Sequence, residues 1–130
     1  MSKLSDDLAV FSKALNLRTQ RHQALASNVA NADTPNYKAR DIDFQDAMKN
    51  AVAGLKLATT APAHLPSAQA PGSATLQYRA DTQSAVDGNT VDMDVERAQL
   101  TDNALQYQVL TQLVSDQFRG MKEALASSQS

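Results

Sequence analysis

The sequence predicts a mainly α fold. Two long terminal helices pack as an antiparallel, coiled-coil-like pair around an irregular middle that holds a short helix and the pattern for a small β-hairpin. Three observations predict this. Near the N-terminus, Leu4, Leu8, Phe11, Leu15, Arg18, His22, Leu25 and Val29 recur at alternating steps of four and three residues. Near the C-terminus, Leu100, Ala104, Tyr107, Thr111, Val114, Phe118, Met121 and Leu125 do the same. The mean step is about 3.5 residues, the period of a coiled-coil seam. Between them the chain is poor in core material, and Pro62, Pro66 and Pro71 punctuate it. The expected units are an N-terminal helix over 1–32, an elbow and short helix over 33–54, a variable linker with short strands over 55–90, and a C-terminal helix over 91–130.

The first helix is expected from residue 4 to about 31. Ser2 or Ser5 can cap it, Asp6 and Asp7 suit the positive end of the helix dipole, and no Pro or Gly interrupts the run. Pro35 ends it, because proline disfavours helical geometry at Thr34 and donates no backbone hydrogen bond. A short helix is expected over 44–53, with Asp43 as its cap and Gly54 just past its end. Residues 55–74 read as a loop. Ala74–Arg79 alternates weakly as a strand, Asp87-Gly88-Asn89 is a turn, and Thr90–Val95 is a second strand-like run that admits pairing with the first as a hairpin. The last helix runs from about Asp94 to Leu125. Asp92, Asp94 and Glu96 crowd its N-terminal end, and Lys122 sits near its C-terminal end. A second apolar stripe, Leu105, Val109, Leu110 and Leu113, leaves this helix apolar on more than one face. Exposed apolar stripes favour association.

Composition narrows the function. The chain has 130 residues, enough for one domain or one elongated unit, and a formal net charge of −2 with both signs interspersed. Nothing resembles the basic footprint of a nucleic-acid binder. There is no cysteine, which excludes disulfides, thiol catalysis and thiolate metal sites. No run is long and apolar enough to span a bilayer, and Met1–Asp7 lacks the apolar core of a secretory signal. His22 and His64 have no carboxylate or second histidine at ligand spacing. Asp87, Asp92, Asp94 and Glu96 lack the alternating oxygen ligands of a calcium loop. No nucleophile stands in an elbow context and no glycine-rich phosphate loop exists. The expectation is assembly rather than chemistry: no enzyme, no metal, no cofactor.

One segment asks for more than an ordinary helix stop. In Ser27-Asn28-Val29-Ala30-Asn31-Ala32-Asp33-Thr34-Pro35-Asn36-Tyr37-Lys38, Asn28 and Asn31 share a helical face. Their amides can cap the helix end or bond the backbone of the turn that Pro35 enforces. Asn36 tolerates positive φ, and Tyr37 supplies an anchor with an apolar body and a polar tip. The physical reading is a stiff helix-to-extended elbow with a polar lock.

That segment resembles the N-terminal signature of the flagellar basal-body rod and hook family, Ser-Asn-x-Ala-Asn-x-x-Thr-Pro-Gly-Tyr-Lys. The matching positions are Ser27, Asn28, Ala30, Asn31, Thr34, Pro35, Tyr37 and Lys38, with Asn36 in place of the usual glycine. Lys38–Phe44, Gly88–Arg97 and Asn103–Gln108 resemble the proximal-rod member in particular. The resemblance implies a structural subunit of the proximal rod, exported without a cleaved signal by the flagellar type III apparatus and assembled through its terminal helices in the periplasm. It implies as partners copies of the chain itself, other rod proteins, the basal-body adaptor FliE and the MS ring region. Leu8, Phe11, Leu15, Leu100, Tyr107, Val114 and Phe118 on the seams, with Asn28, Asn31, Thr34, Pro35 and Tyr37 at the elbow, are the expected assembly residues. A small helical adaptor or secretion chaperone has the same size, acidity and amphipathic helices. It would form a discrete dimer rather than an open polymer.

Overall fold

The computed structural model describes residues 2–60, 74–80 and 85–127, with side-chain surroundings for 5–54, 74–80 and 85–127. The element order is α1 (Ser2–Ala30), β1 (Arg40–Ile42), α2 (Phe44–Thr60), β2 (Leu76–Tyr78) and α3 (Met93–Ser127). Arg18 meets Asn103, Arg21 meets Gln99 and Asn28 meets Glu96, so α1 and α3 run antiparallel side by side. The predicted architecture is therefore the one observed: mainly helical, with terminal helices paired and one small antiparallel sheet.

The caps follow local chemistry. The Asp43 carboxylate accepts the Asp46 N–H at 3.1 Å, and its carbonyl accepts the Ala47 N–H at 3.0 Å. Asp92 does the same for α3, accepting the Asp94 and Val95 N–H groups. Two dipole expectations shift: α1 starts early enough that Asp6 and Asp7 fall beyond its first turn, and no basic residue lies in the last turn of α3.

Three expectations need correction. The short helix does not stop at Gly54 but continues to Thr60, because helix propagation tolerates one exposed glycine at a cost of about 1 kcal/mol. Residues 55–60, expected in a loop, are thus helical; the rest of that loop, with His64 and Pro62, Pro66 and Pro71, lies outside the described residues. The strand over 76–78 forms, but Thr90–Val95 is not its partner. It pairs antiparallel with β1, in the register Arg40↔Tyr78, Asp41↔Gln77 and Ile42↔Leu76. Thr90 and Val91 instead thread along the elbow, and Met93 already belongs to α3.

The apolar core is small: Ala14, Leu17, Ala24 and Leu25 of α1, Ala39, and Ile42 of β1. It sits where α1 is covered from more than one direction. The seam anticipated on α1 is only partly this line, since Leu8, Phe11 and Leu15 are half-buried and His22 is exposed, while Leu17 is fully buried. The Leu4 side chain lies outside the described residues. On α3 the buried positions are Glu96 and Asn103, followed toward the C-terminus by half-buried Gln106, Leu110, Val114, Gln117 and Met121.

Two turns interlock at the elbow, where the Asn36 N–H donates to the Asp87 carbonyl. Asn36 has φ 60° and Gly88 has φ 75°, both left-handed. A Cβ at Gly88 would lie 2.5 Å from Asn36 Oδ1. Gly88→Ala is expected to cost roughly 1–2 kcal/mol through the left-handed backbone alone, with the Asn36 amide displaced. Chemical denaturation monitored by helical circular dichroism checks this, and an unchanged midpoint would contradict it.

Candidate functional site

The elbow is built by amide side chains standing in for missing backbone partners. Asn28 is fully buried near the end of α1. Its Oδ1 accepts the Arg40 N–H at 3.0 Å and the Tyr37 O–H at 3.4 Å, while its Nδ2 donates to the Arg40 carbonyl at 2.7 Å and to Glu96 Oε2 at 3.1 Å. One side chain thus treats Arg40 as a neighbouring strand would, on the edge of β1 away from β2. Asn31 donates back to the Ser27 carbonyl at 2.8 Å and accepts the Thr34 hydroxyl at 3.2 Å. The Tyr37 hydroxyl also lies 3.2 Å from Ser27 Oγ.

The far end of the elbow is closed by Asn89. Its Nδ2 sits 3.0, 2.9 and 2.8 Å from the carbonyls of Asn31, Ala32 and Thr34, of which Asn31 and Thr34 also accept the Thr34 and Tyr37 N–H groups, so the amide braces the turn after α1. Asn36 N–H donates to the Asp87 carbonyl, Thr90 N–H to the Tyr37 carbonyl, and Ala39 N–H to the Thr90 hydroxyl. The segment before α3 therefore runs along the elbow as a second wall.

Behind the elbow lies a charged clasp. Arg21 grips Asp41 with two bonds, at 2.9 and 3.0 Å. Arg79, just after β2, donates to Asp41 Oδ2 at 3.1 Å and also pairs with Glu96 Oε1. Glu96 is fully buried, and its other oxygen holds Asn28. The clasp joins α1, β1, the end of β2 and α3, and its two acids balance its two arginines. Burial alone would raise the Asp41 carboxyl, but hydrogen bonds from Arg21, the Ile42 N–H and Arg79 outweigh it and hold it below the ordinary range. Arg21 is raised, chiefly by its hydrogen bond to Asp41 and against the opposing effect of burial.

A pH dependence follows from that direction. A carboxyl with a depressed folded pKa contributes stability that is complete above its ordinary value of 3.8 and is lost as pH falls through the folded value. At neutral pH, Asp41→Asn is expected to unfold at lower urea than the parent. The gap should narrow as pH drops below 3.8. A gap independent of pH would show that Asp41 contributes through shape rather than charge.

A polar pin lies further along the helix pair. Asn103 donates to the Arg18 carbonyl at 2.9 Å and accepts from its guanidinium at 3.5 Å. That guanidinium also stacks 3.6 Å from the centre of the Phe44 ring. Burial, and next Arg21, lower the Arg18 pKa; Asp102 opposes them. Its Nε finds no hydrogen-bond partner. Polar pairs of this kind fix register between helices.

The seam residues have a common geometry. At about 100° per residue, Leu8 and Leu15 on α1 lie roughly a quarter turn from the line facing α3, and Phe11 less. On α3, Leu100, Tyr107 and Phe118 are offset from their contact line in the same rotational sense. Reversing one helix reverses that sense as seen by its neighbour, so in an antiparallel pair both sets fall on one side. Ser12, Thr19, His22 and Ala26 share that side of α1 and are exposed. Tyr107 and Phe118 are 41% and 46% exposed, while Leu100 and Val114 are half-buried. At the elbow, Asn31 and Tyr37 are half-buried, and Thr34 and Pro35 are exposed.

Comparison with known proteins bears directly on this arrangement. The sequence profile of the family described as flagella basal body rod protein matches residues 8–38, which takes in most of α1 and the turn after it. Over 135 aligned positions the chain is 47% identical to flagellar basal body rod protein FlgB of Escherichia coli (strain K12), covering 98% of each chain. The chain belongs to the FlgB family of flagellar basal-body rod proteins. It is also 44% identical to FlgB of Salmonella typhimurium, over 96% of each chain, and 38% identical to FlgB of Cereibacter sphaeroides, over 96% of this chain and 98% of that one.

A FlgB-family chain is a structural component of the flagellar basal body, not an enzyme. No helix among the described residues is long and apolar enough to cross a membrane. Sequence reasoning identified Asn28, Asn31 and Tyr37 but missed Arg21, Asp41, Arg79, Asn89, Glu96 and Asn103. Asn89 and Glu96 stand within the Gly88–Arg97 run that carried the resemblance, which was the available signal. Nothing comparable marks Arg79, whose side-chain partners come from two other elements, β1 and α3.

Proposed function

We propose that this FlgB-family chain is a subunit of the proximal rod, the periplasmic part of the drive shaft that transmits torque for motility. Its terminal helices assemble with copies of itself and with other rod proteins. One end of that assembly contacts the adaptor FliE and the MS ring region. The chain reaches the rod through the flagellar type III export apparatus, without a cleaved signal peptide.

The observation that carries this reading is the shared open side of the α1–α3 pair, where Leu8, Phe11, Leu15, Leu100, Tyr107 and Phe118 stand together. A partner helix laid there completes a seam of the coiled-coil period. Interdigitated seams resist shear because many side chains must leave their holes together. Asn28, Asn31, Thr34, Pro35 and Tyr37 hold the elbow that sets the angle at which this side is presented, and Val114 supports the seam from within.

The test is deletion of the gene with plasmid rescue, imaging basal bodies by electron microscopy. The expected result is rings without a rod, restored by the parent gene and not by Tyr107→Asp combined with Phe118→Asp. Intact rods in the deletion strain would overturn the reading and return attention to a helical adaptor.

A further inference from the structure

A second pair of apolar ridges lies away from that open side. On α3, Leu105, Val109 and Leu113 are 59%, 53% and 46% exposed and follow one another at four-residue steps. Residues 104 and 107 belong to the seam side; these three lie on the far face of the helix. On α2, Phe44, Met48 and Val52 also follow at four-residue steps and line an open groove with Gln45, Lys49 and Ala53.

We infer that the α2 groove of one copy receives the Leu105–Val109–Leu113 ridge of a second copy. This rests on the rod-subunit reading above and names a contact within it. Two features of the ridges support that occupant. Both are rows of positions four apart, and two such rows interdigitate at a crossing angle of about 50°, the commonest packing of helices in proteins. The charges also match. Among the described residues, Lys49 is the only charged one lining the groove. The α3 ridge is bracketed by Asp102 and Asp116, with no Lys or Arg between them. Lys49 holds only a loose, exposed pairing with Asp46 at 3.4 Å, so it is free to exchange that partner.

The contact joins two different surfaces, so it is heterologous. Each added copy presents a fresh groove and a fresh ridge, and the contact propagates as an open helical array rather than closing as a dimer. The open side of the α1–α3 pair stays available for other neighbours.

The absence of native cysteine makes the test direct. Met48→Cys and Val109→Cys are expressed separately and together in a deletion strain, and isolated basal bodies are oxidised with copper phenanthroline. The expected result is a cross-linked dimer when both variants are present and none with either alone. Motile cells with normal rods but no mixed cross-link would overturn the contact while leaving the rod role standing. Cross-linking by Val109→Cys or Met48→Cys alone would overturn it too, because it would mean that like surfaces meet. Parent cells whose basal bodies lack the chain altogether would overturn the rod reading instead.

Discussion

Glu96→Ala is expected to destabilise the fold by about 3–5 kcal/mol, the usual consequence of removing one partner from a buried ion pair. Glu96 is fully buried, and its two oxygens hold Arg79 and Asn28. Without it, Arg79 keeps only Asp41, and the clasp changes from two acids and two arginines to one acid and two arginines. Glu96→Gln preserves the shape and one acceptor, so its loss should be smaller, with the difference reporting the charge. Urea denaturation of the purified chain, followed by its helical circular-dichroism signal, measures both. Equal midpoints for parent and Glu96→Ala would mean that the clasp adds nothing to holding α3 on α1.

The second large effect is expected at Asn28. Asn28→Ala strands the Arg40 N–H and carbonyl and removes a donor from Glu96, and each buried polar group left unpaired costs roughly 1–3 kcal/mol. A total near 3 kcal/mol is expected on that basis. Asn28→Asp should be worse although it is nearly isosteric. Its carboxylate would face the Arg40 carbonyl and the Glu96 carboxylate, two acceptors where the amide now donates at 2.7 and 3.1 Å. The order parent, then Ala, then Asp is the discriminating outcome in a denaturation series. The reverse order of the two variants would mean that Asn28 acts by filling space.

The contrast between what the sequence disclosed and what it concealed is physical. Two helix boundaries were legible because caps and stops act within four residues: the Asp43 cap and the Pro35 stop both work locally, whereas the far end of α2, past Gly54, was not. Asn36 was legible for the same reason, since tolerance of positive φ belongs to the residue itself. The partner of β2 was not legible. Strand pairing depends on which distant segment is brought alongside, and three-residue strands carry little pattern. The clasp was hidden because charged residues on an amphipathic pattern read as surface. Glu96 and Arg21 become interior only once α1, β1 and α3 have met. Leu17 was missed because α1 is covered over a wider arc than one coiled-coil seam requires, so its buried face spreads beyond the 3.5-residue line. The apolar ridges were visible in the sequence, but which of them faced the neighbouring helix depended on how far each helix turned.

The pin between Arg18 and Asn103 joins positions 85 residues apart. Asn28 and Glu96 are separated by 68. Contacts this distant in the chain are slow to find one another, because most of the loop must be closed before either side is rewarded. They also impose an order of events. A chain that emerges from either end has one terminal helix waiting, its polar face unpaired, until nearly the whole polypeptide has followed. The elbow can then lock in a single late step. For such a topology, becoming rigid is a single event that waits on the last-made part of the chain, whichever end comes first.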